Sequence, residues 1–351
     1  MLKVLLSLLS ITFLGCGGAS DSSSHHDTLN IKDFNPYQNT YFPRQWHLKI
    51  VDDNIARTRN ISDDSHIHIN GAWKITRGKG VKVAVIDYDF NSEHKDLVNN
   101  IVATYDVETH TTKVKKNFDS HGTACASVIA ATNNNLGIIG VAPESQLILI
   151  TADLTNNQQK AEAFRKAKEL GADVISCSWS FLEKTDPQVE AAIQEMYDSN
   201  IVVVFSSGNN GIDLDSSPKY QSEPELPWVI GVGATTEDNK KAPYSNYGKY
   251  IDILAPGGRA NGGLYAIVGY NNETYGYFHG TSASAPVVAG VVALMLSANP
   301  NLTPDQVRSI LLSTADKIDK DVAKYNINGF SHTYAYGKVN ASAAVAKALT
   351  Y

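Results

Sequence analysis

The sequence predicts an α/β fold of three layers, a parallel β-sheet flanked by helices on both faces. Five short runs carry the first argument: "VKVAVID" (81–87), "QLILITA" (146–152), "ADVISCSWS" (172–180), "IVVVFSSG" (201–208) and "WVIGVGA" (228–234). They are β-branched and apolar nearly throughout, as strands buried on both faces are. Between them, "QQKAEAFRKAKELG" and "DPQVEAAIQEMYDSN" have helical spacing, and the first closes on a C-cap glycine. Repeated strand–helix–strand order makes the crossovers right-handed and gathers functional groups at the C-terminal ends of the strands.

Composition sets the limits. With 351 residues, 43% of them hydrophobic and 19% charged, the chain is long and apolar enough to bury a substantial core. A net charge of −6 without a basic stripe excludes nucleic acid as the expected partner. Three cysteines, Cys16, Cys125 and Cys177, cannot build a disulfide scaffold and are too far apart for a paired-cysteine zinc site.

The N-terminus reads separately. "MLKVLLSLLSITFLGC" holds one lysine, an apolar run from Val4 to Leu14, then Gly15 and Cys16. The run is too short to span a bilayer as a mature helix, so residues 1–15 read as a signal peptide. Its ending is similar to the bacterial lipoprotein signal, in which the cysteine is acylated; Phe13 departs from the aliphatic residue that signal prefers. The expectation is an exported protein of the bacterial cell envelope, held to a membrane on its periplasmic or cell-surface side by a lipid on Cys16. Residues 16–38 read as a lipidated, polar linker, in which His25 and His26 are solvated. A single folded domain is expected over 39–351, with no later segment long and apolar enough to cross a membrane.

Four positions carry chemistry. Asp87 ends the first strong strand, where a buried carboxylate needs a partner; a turn cap is the other reading. His121 opens "HGTACASVIAAT", whose small residues suit a tightly packed helix. A helix start disfavours a charged imidazole and so lowers its pKa, which fits a general base; a packed core histidine is the alternative. Ser282 stands at the head of "SASAPVVAGVVALMLSAN", with Pro286 expected in the first turn. Its hydroxyl is either a nucleophile beside the helix N–H groups or an N-cap. Ser284 lacks a preceding glycine and reads as helix packing. Asn209, in "SSGNNG", offers an amide donor just past a strand, with Asn210 as a neighbouring competitor.

The blocks "VKVAVIDYDFNSEHKDL", "SHGTACASVIAATNNNLGIIGVAP", "GADVISCSWS", "VVVFSSGNNG" and "HGTSASAPVVAGVVAL" resemble five successive blocks of the subtilisin-like serine proteases, in the family's order Asp, His, Asn, Ser. The resemblance runs from about Asn39 to Tyr351 and implies a subtilisin-like fold and serine endopeptidase activity. It implies Ser282 as nucleophile, His121 as general base, Asp87 as its orienting acid and Asn209 as oxyanion donor. It also implies an extended peptide or protein substrate beside "SCSWS", bound by backbone groups of Ser178 and Ser180 with Trp179 as pocket wall or core aromatic. The α/β-hydrolase arrangement is excluded, because no G-x-S-x-G surrounds Ser282.

Further expectations follow from the same resemblance. "QWHL", "ATYDV", "HGTAC", "SCSWS" and "GTSASAP" are similar to the kexin/furin-like branch, which implies cleavage after basic residues. Glu183 falls at one acid of that pocket, with Asp213 and Asp215 as candidates for another, although "SFLE" departs from the branch's glycine-proline-acid pattern. "TNNNLGI" (132–138) resembles the family's calcium loop: Asn134 and the carbonyls of Thr132, Leu136 and Ile138 would bind calcium with Asp96 and Asn39, all hard oxygen donors. A plain Asn-rich turn is the alternative. Ala124 stands at the second histidine of the HGTH form. Asp89 stands where the family has glycine and is expected to raise the pKa of His121. Cys125 and Cys177 flank the site as reactive thiols or as small buried hydrophobes. Residues 16–38 leave no room for the family's pro-domain, so a separate chaperone or inhibitor protein is an expected partner.

Overall fold

The computed structural model describes residues 34–351 except 117–119, 217–220, 270 and 272. Cys16, His25 and His26 lie outside the described residues. The first described residue, Phe34, already packs: its ring meets Trp73 edge-on at 5.3 Å.

Seven strands form the main sheet: β1 (Lys82–Asp87), β2 (Ile101–Asp106), β3 (Gln146–Thr151), β4 (Val174–Cys177), β5 (Val202–Ser206), β6 (Val229–Thr235) and β7 (Ile253–Pro256). All pair in parallel, in the order β2-β3-β1-β4-β5-β6-β7. A hairpin of β8 (Leu264–Ile267) and β9 (Tyr275–Phe278) stands apart. The helices are α1 (Asp53–Arg59), α2 (Ile69–Trp73), α3 (His121–Ala130), α4 (Asn157–Glu169), α5 (Pro187–Asp198), α6 (Thr281–Ala298), α7 (Pro304–Thr314), α8 (Lys320–Ala323) and α9 (Ala341–Ala348). The five expected strands are β1, β3, β4, β5 and β6; β2, β7 and the hairpin add to them.

Two core layers follow from the two-residue period of a strand. Val83 and Val85 of β1 pack with α3 and α6, whereas Ala84 and Ile86 pack with α4 and α5 on the other face. The two-faced burial explains why these strands lack alternating polar residues. Strand order reverses at β1, which has β3 on one side and β4 on the other. A crevice therefore opens at the C-terminal ends of β1 and β4, where such sheets hold their ligands.

Helix α6 lies against the sheet, with 15 of its 18 residues buried. Its mean hydropathy of 1.7 over 18 residues makes it long and apolar enough to cross a membrane, contrary to expectation, yet it is 83% buried inside the protein and serves as a core helix. Pro286 is also displaced from expectation. The helix starts at Thr281, so Pro286 is its sixth residue and lies beyond the first turn. Its missing N–H leaves the carbonyl of Ser282 without the usual i→i−4 donor.

Candidate active site

The site forms from the inside outward. Asp87 is fully buried at the end of β1. Its Oδ1 accepts the Tyr88 N–H at 2.8 Å, and its Oδ1 and Oδ2 lie 3.0 and 2.8 Å from His121 Nδ1. This carboxylate thus meets both a neighbouring backbone N–H and the imidazole. His121 is the first residue of α3, with its side chain 25% exposed. Gly122 explains how α3 comes so close to β1: a Cβ there would sit 2.3 Å from the Asp89 carbonyl and 2.8 Å from the Asp87 Cβ.

His121 does not have the lowered pKa expected of a helix start. Burial does push the imidazole towards neutrality, but the Asp87 carboxylate, with Cys125 beside it, outweighs burial, and the pKa stands well above the usual histidine value. Asp89, expected to contribute, is buried and accepts the Ser120 N–H at 3.1 Å. A histidine so oriented presents Nε2 as the free, basic nitrogen.

Ser282 is half-buried at the second position of α6. Its Oγ donates to the Ser178 carbonyl at 3.0 Å, and Ser178 Oγ donates back to the Ser282 carbonyl, also at 3.0 Å. Cys125 Sγ lies 3.6 Å from the same carbonyl. The acceptor freed by Pro286 is therefore taken by side chains of β4's end and of α3, which ties three elements to one residue. Ser284 is buried and donates to the Ala255 carbonyl at 3.0 Å, which fits its packing role.

Asn209 follows β5. Its Oδ1 accepts the Thr281 N–H and the Thr281 hydroxyl, each at 2.9 Å. The side chain thereby caps α6 and aims Nδ2 away from the cap. Asn210 instead donates its backbone N–H to Asn246 Oδ1, so the capping geometry distinguishes the two asparagines. Gly280 precedes with φ +109°, a conformation that disfavours any side chain, and a Cβ there would sit 3.3 Å from Asn209 Nδ2. Asp87, His121, Ser178, Asn209 and Ser282 thus surround one crevice.

Other expected residues divide. Trp179 is a core aromatic: it is 6% exposed, donates Nε1 to the Ile86 carbonyl and stands edge-on to Phe205 at 4.8 Å. Ser178's carbonyl is occupied by the Ser282 hydroxyl rather than open to a substrate. Ser180 is half-buried and Glu183 exposed. Asp213 pairs with His332 Nε2 at 3.0 Å, and Asp215 lies 3.7 Å from both His332 Nδ1 and Lys249 Nζ. These two acids face the C-terminal loop. Cys125 and Cys177 are fully buried, and burial raises both thiol pKa values, so neither is a ready nucleophile. Sequence reasoning missed Phe278, which packs edge-on to the His121 ring at 5.5 Å; its position in the hairpin gave no periodic signal.

A second constellation surrounds Asp96, which is buried with Asn39. Asp96 Oδ2 accepts the Ile138 N–H at 2.9 Å and the Tyr275 hydroxyl at 3.2 Å, while among the described residues its Oδ1 has no donor in hydrogen-bond geometry. Asn39 donates its amide to Asn133 Oδ1 and the Pro36 carbonyl, and its own Oδ1 is likewise unpartnered. Asn134 Oδ1 accepts the Leu136 N–H at 3.0 Å, and Thr132 donates to the Asp96 carbonyl. Two orphaned buried oxygens beside the 132–138 loop are costly unless a cation completes them, so the residues fit a calcium ion.

The Subtilase family model matches residues 78–337, a span that contains Asp87, His121, Asn209 and Ser282. A calcium-dependent protease of Trichormus variabilis is 34% identical over 89% of this chain, which covers 52% of that relative's length. Thermitase of Thermoactinomyces vulgaris is 32% identical over 78% of the chain and 91% of its own. Among solved structures, a protease of Pseudoalteromonas arctica superposes with a TM-score of 0.74 at 27% identity, over 89% of this chain and 99% of that one. With the matched span, the parallel sheet and the crevice at its switch point in agreement, the chain belongs to the subtilase family.

Proposed function

We propose that the protein is a serine endopeptidase that cleaves peptide bonds through an acyl-enzyme on Ser282. The single observation that supports this best is the convergence of a buried Asp87–His121 pair, at 2.8 Å, on the head of α6, where Ser282 stands. In this reading Ser282 Oγ leaves the Ser178 carbonyl, gives its proton to His121 Nε2 and attacks the substrate carbonyl. His121 then returns the proton to the departing amine, and Asp87 holds the imidazolium in place. The oxyanion is met by Asn209 Nδ2 and by the Ser282 N–H, one of the first helical N–H groups without an intrahelical acceptor. Incubating the full chain with internally quenched peptides tests this. Hydrolysis that disappears in Ser282→Ala, with circular dichroism unchanged, supports the reading; undiminished hydrolysis in that variant overturns it.

A calcium ion belongs to the same proposal, held by side chains of Asn39, Asp96 and Asn134 and by carbonyls of Thr132, Leu136 and Ile138. None of those three carbonyls accepts a hydrogen bond from a described residue. Calcium would supply positive charge to a buried carboxylate and so fix the loop; it takes no part in bond cleavage.

Kexin/furin-like specificity rests on the resemblance of short blocks and on Glu183. Comparison of Arg-ending with Phe-ending substrates decides it, since Phe-biased rates would exclude it. Export and lipid attachment at Cys16 rest on the first sixteen residues, and palmitate labelling lost in Cys16→Ser is their test.

A further inference from the structure

A cleft of about 560 Å³ lies beside the site and has no role in the chemistry described so far. Its apolar floor includes Pro243 and Tyr244, and its rim carries Lys240, Lys241, Arg259 and Asp238. Tyr244 is held firmly, with its hydroxyl donating to the Gly258 carbonyl at 2.6 Å and its own carbonyl accepting the Gly211 N–H.

The position follows from a chain of contacts. Phe278 packs against His121, the next residue His279 faces Tyr244 at 6.4 Å between ring centroids, and Tyr244 walls the cleft. His121 is the group that hands its proton to the departing amine. Contacts leading away from it past Phe278 and His279 therefore lead along the leaving-group side, whereas Ser178 and β4 lie on the other flank of Ser282.

The charges around the cleft do not balance. Arg259 pairs with Asp238 at 3.0 Å and with Glu237 at 3.6 Å, and Glu237 also binds Arg59 at 2.9 Å. Those two arginines and two carboxylates cancel. Lys240 is exposed and Lys241 half-buried, and neither has a carboxylate partner within salt-bridge distance among the described residues. Among the described residues, Lys241 Nζ donates to the Ala242 carbonyl alone and stands 5.0 Å over the Tyr247 ring. With Asp238 shared between Arg259 and Lys240, and burial bringing the Lys241 pKa down to about 8, a protein of net charge −6 still carries an excess of two positive charges around this cleft.

We infer that this cleft is a specificity pocket for an acidic side chain located one to three residues after the scissile bond. The inference rests on the endopeptidase reading and narrows its substrates to segments that are acidic on the leaving side. The aliphatic stem of a glutamate covers Tyr244 and Pro243 while its carboxylate meets the two ammonium groups. Lys241 is half-buried beside the apolar lining, so a charge contact there is screened less than one on open surface, whereas the contact with exposed Lys240 is screened more fully.

The test uses internally quenched peptides with one acyl-side sequence and Glu, Gln or Lys placed at each of the first three leaving-side positions. At one position kcat/KM for Glu should exceed that for Gln by about five- to ten-fold, with Lys the poorest, as two partly screened charge contacts allow. In Lys240→Gln/Lys241→Gln the Glu-to-Gln ratio should approach one, whereas Lys320→Gln, at an exposed lysine of α8, should retain it. Raising the sodium chloride concentration should lower the ratio in the unmodified protein, a readout independent of any variant. Hydrolysis with equal rates at all three positions, or a preference that persists in the double variant or at high salt, overturns the inference alone. Absence of hydrolysis for every peptide overturns the endopeptidase reading and the inference with it.

Discussion

At Asn209 one side chain performs two tasks that mutation can separate. Its Oδ1 caps α6 through the Thr281 N–H, and its Nδ2 is the donor proposed for the oxyanion. Asn209→Ala should lose about 10²–10³ in kcat and about 1 kcal/mol of stability from the lost cap. Asn209→Asp keeps the cap and lacks the donor, so kcat should fall at least as far while Tm is retained. Parallel kinetics and calorimetry on both variants check this, and equal Tm losses would contradict the capping role. His121 gives a pH prediction. Only its neutral form accepts a proton, so kcat/KM should rise with pH through a pKa held above 6.5. The sign for stability is opposite: the charged form is favoured in the fold, so its contribution is present below pH 6.5 and is lost as pH rises through the folded value. Asp87→Asn should shift the kinetic limb to lower pH and reduce kcat by roughly 10⁴. A pH–rate profile with an unmoved limb would contradict the pairing.

The central feature among the elements is the backbone hydrogen bond that α6 lacks at Pro286. Its absence releases the Ser282 carbonyl to Ser178 and Cys125, joining β4's end and α3 to the backbone of Ser282. Pro286→Ala would restore an N–H facing that carbonyl and set it against the Ser178 hydroxyl. Tm should hold or rise, because a helix-interior proline is costly, while kcat should fall about ten-fold, the scale of one displaced hydrogen bond. An unchanged kcat would show that the tie has no bearing on chemistry. This feature also marks the limit of what the sequence disclosed. The five buried strands were legible because two-faced burial makes them uniformly apolar. Edge strand β2 was not, since its residues are mostly half-buried or exposed, and β7 at the other edge is only four residues long. Asp87, His121, Asn209 and Ser282 were legible because each sits at an element boundary. The pKa of His121 and the place of Pro286 were not, because the first depends on a carboxylate 34 positions away and the second on where the helix actually begins.

For the whole molecule, the two constellations are coupled through the chain. The Asp96 loop follows β1, and the 132–138 turn follows α3, so the elements that carry Asp87 and His121 both run into the calcium candidate. Removing calcium should therefore loosen the fold. Saturating ligand at a hundred times its dissociation constant contributes about 2.7 kcal/mol, which corresponds to roughly 4 °C in Tm at this size. Calorimetry with and without EGTA checks it: Tm should fall on chelation, and Asp96→Asn should abolish the difference. No change in the unmodified protein would leave the two orphaned oxygens without this explanation.

The most direct measurement of the central claim is covalent labelling of the full chain with a fluorophosphonate, followed by mass spectrometry of the peptides. The predicted result is a single adduct on Ser282, absent in Ser282→Ala and much slower to form in His121→Ala. An unlabelled folded protein, or an adduct that survives Ser282→Ala, would contradict it.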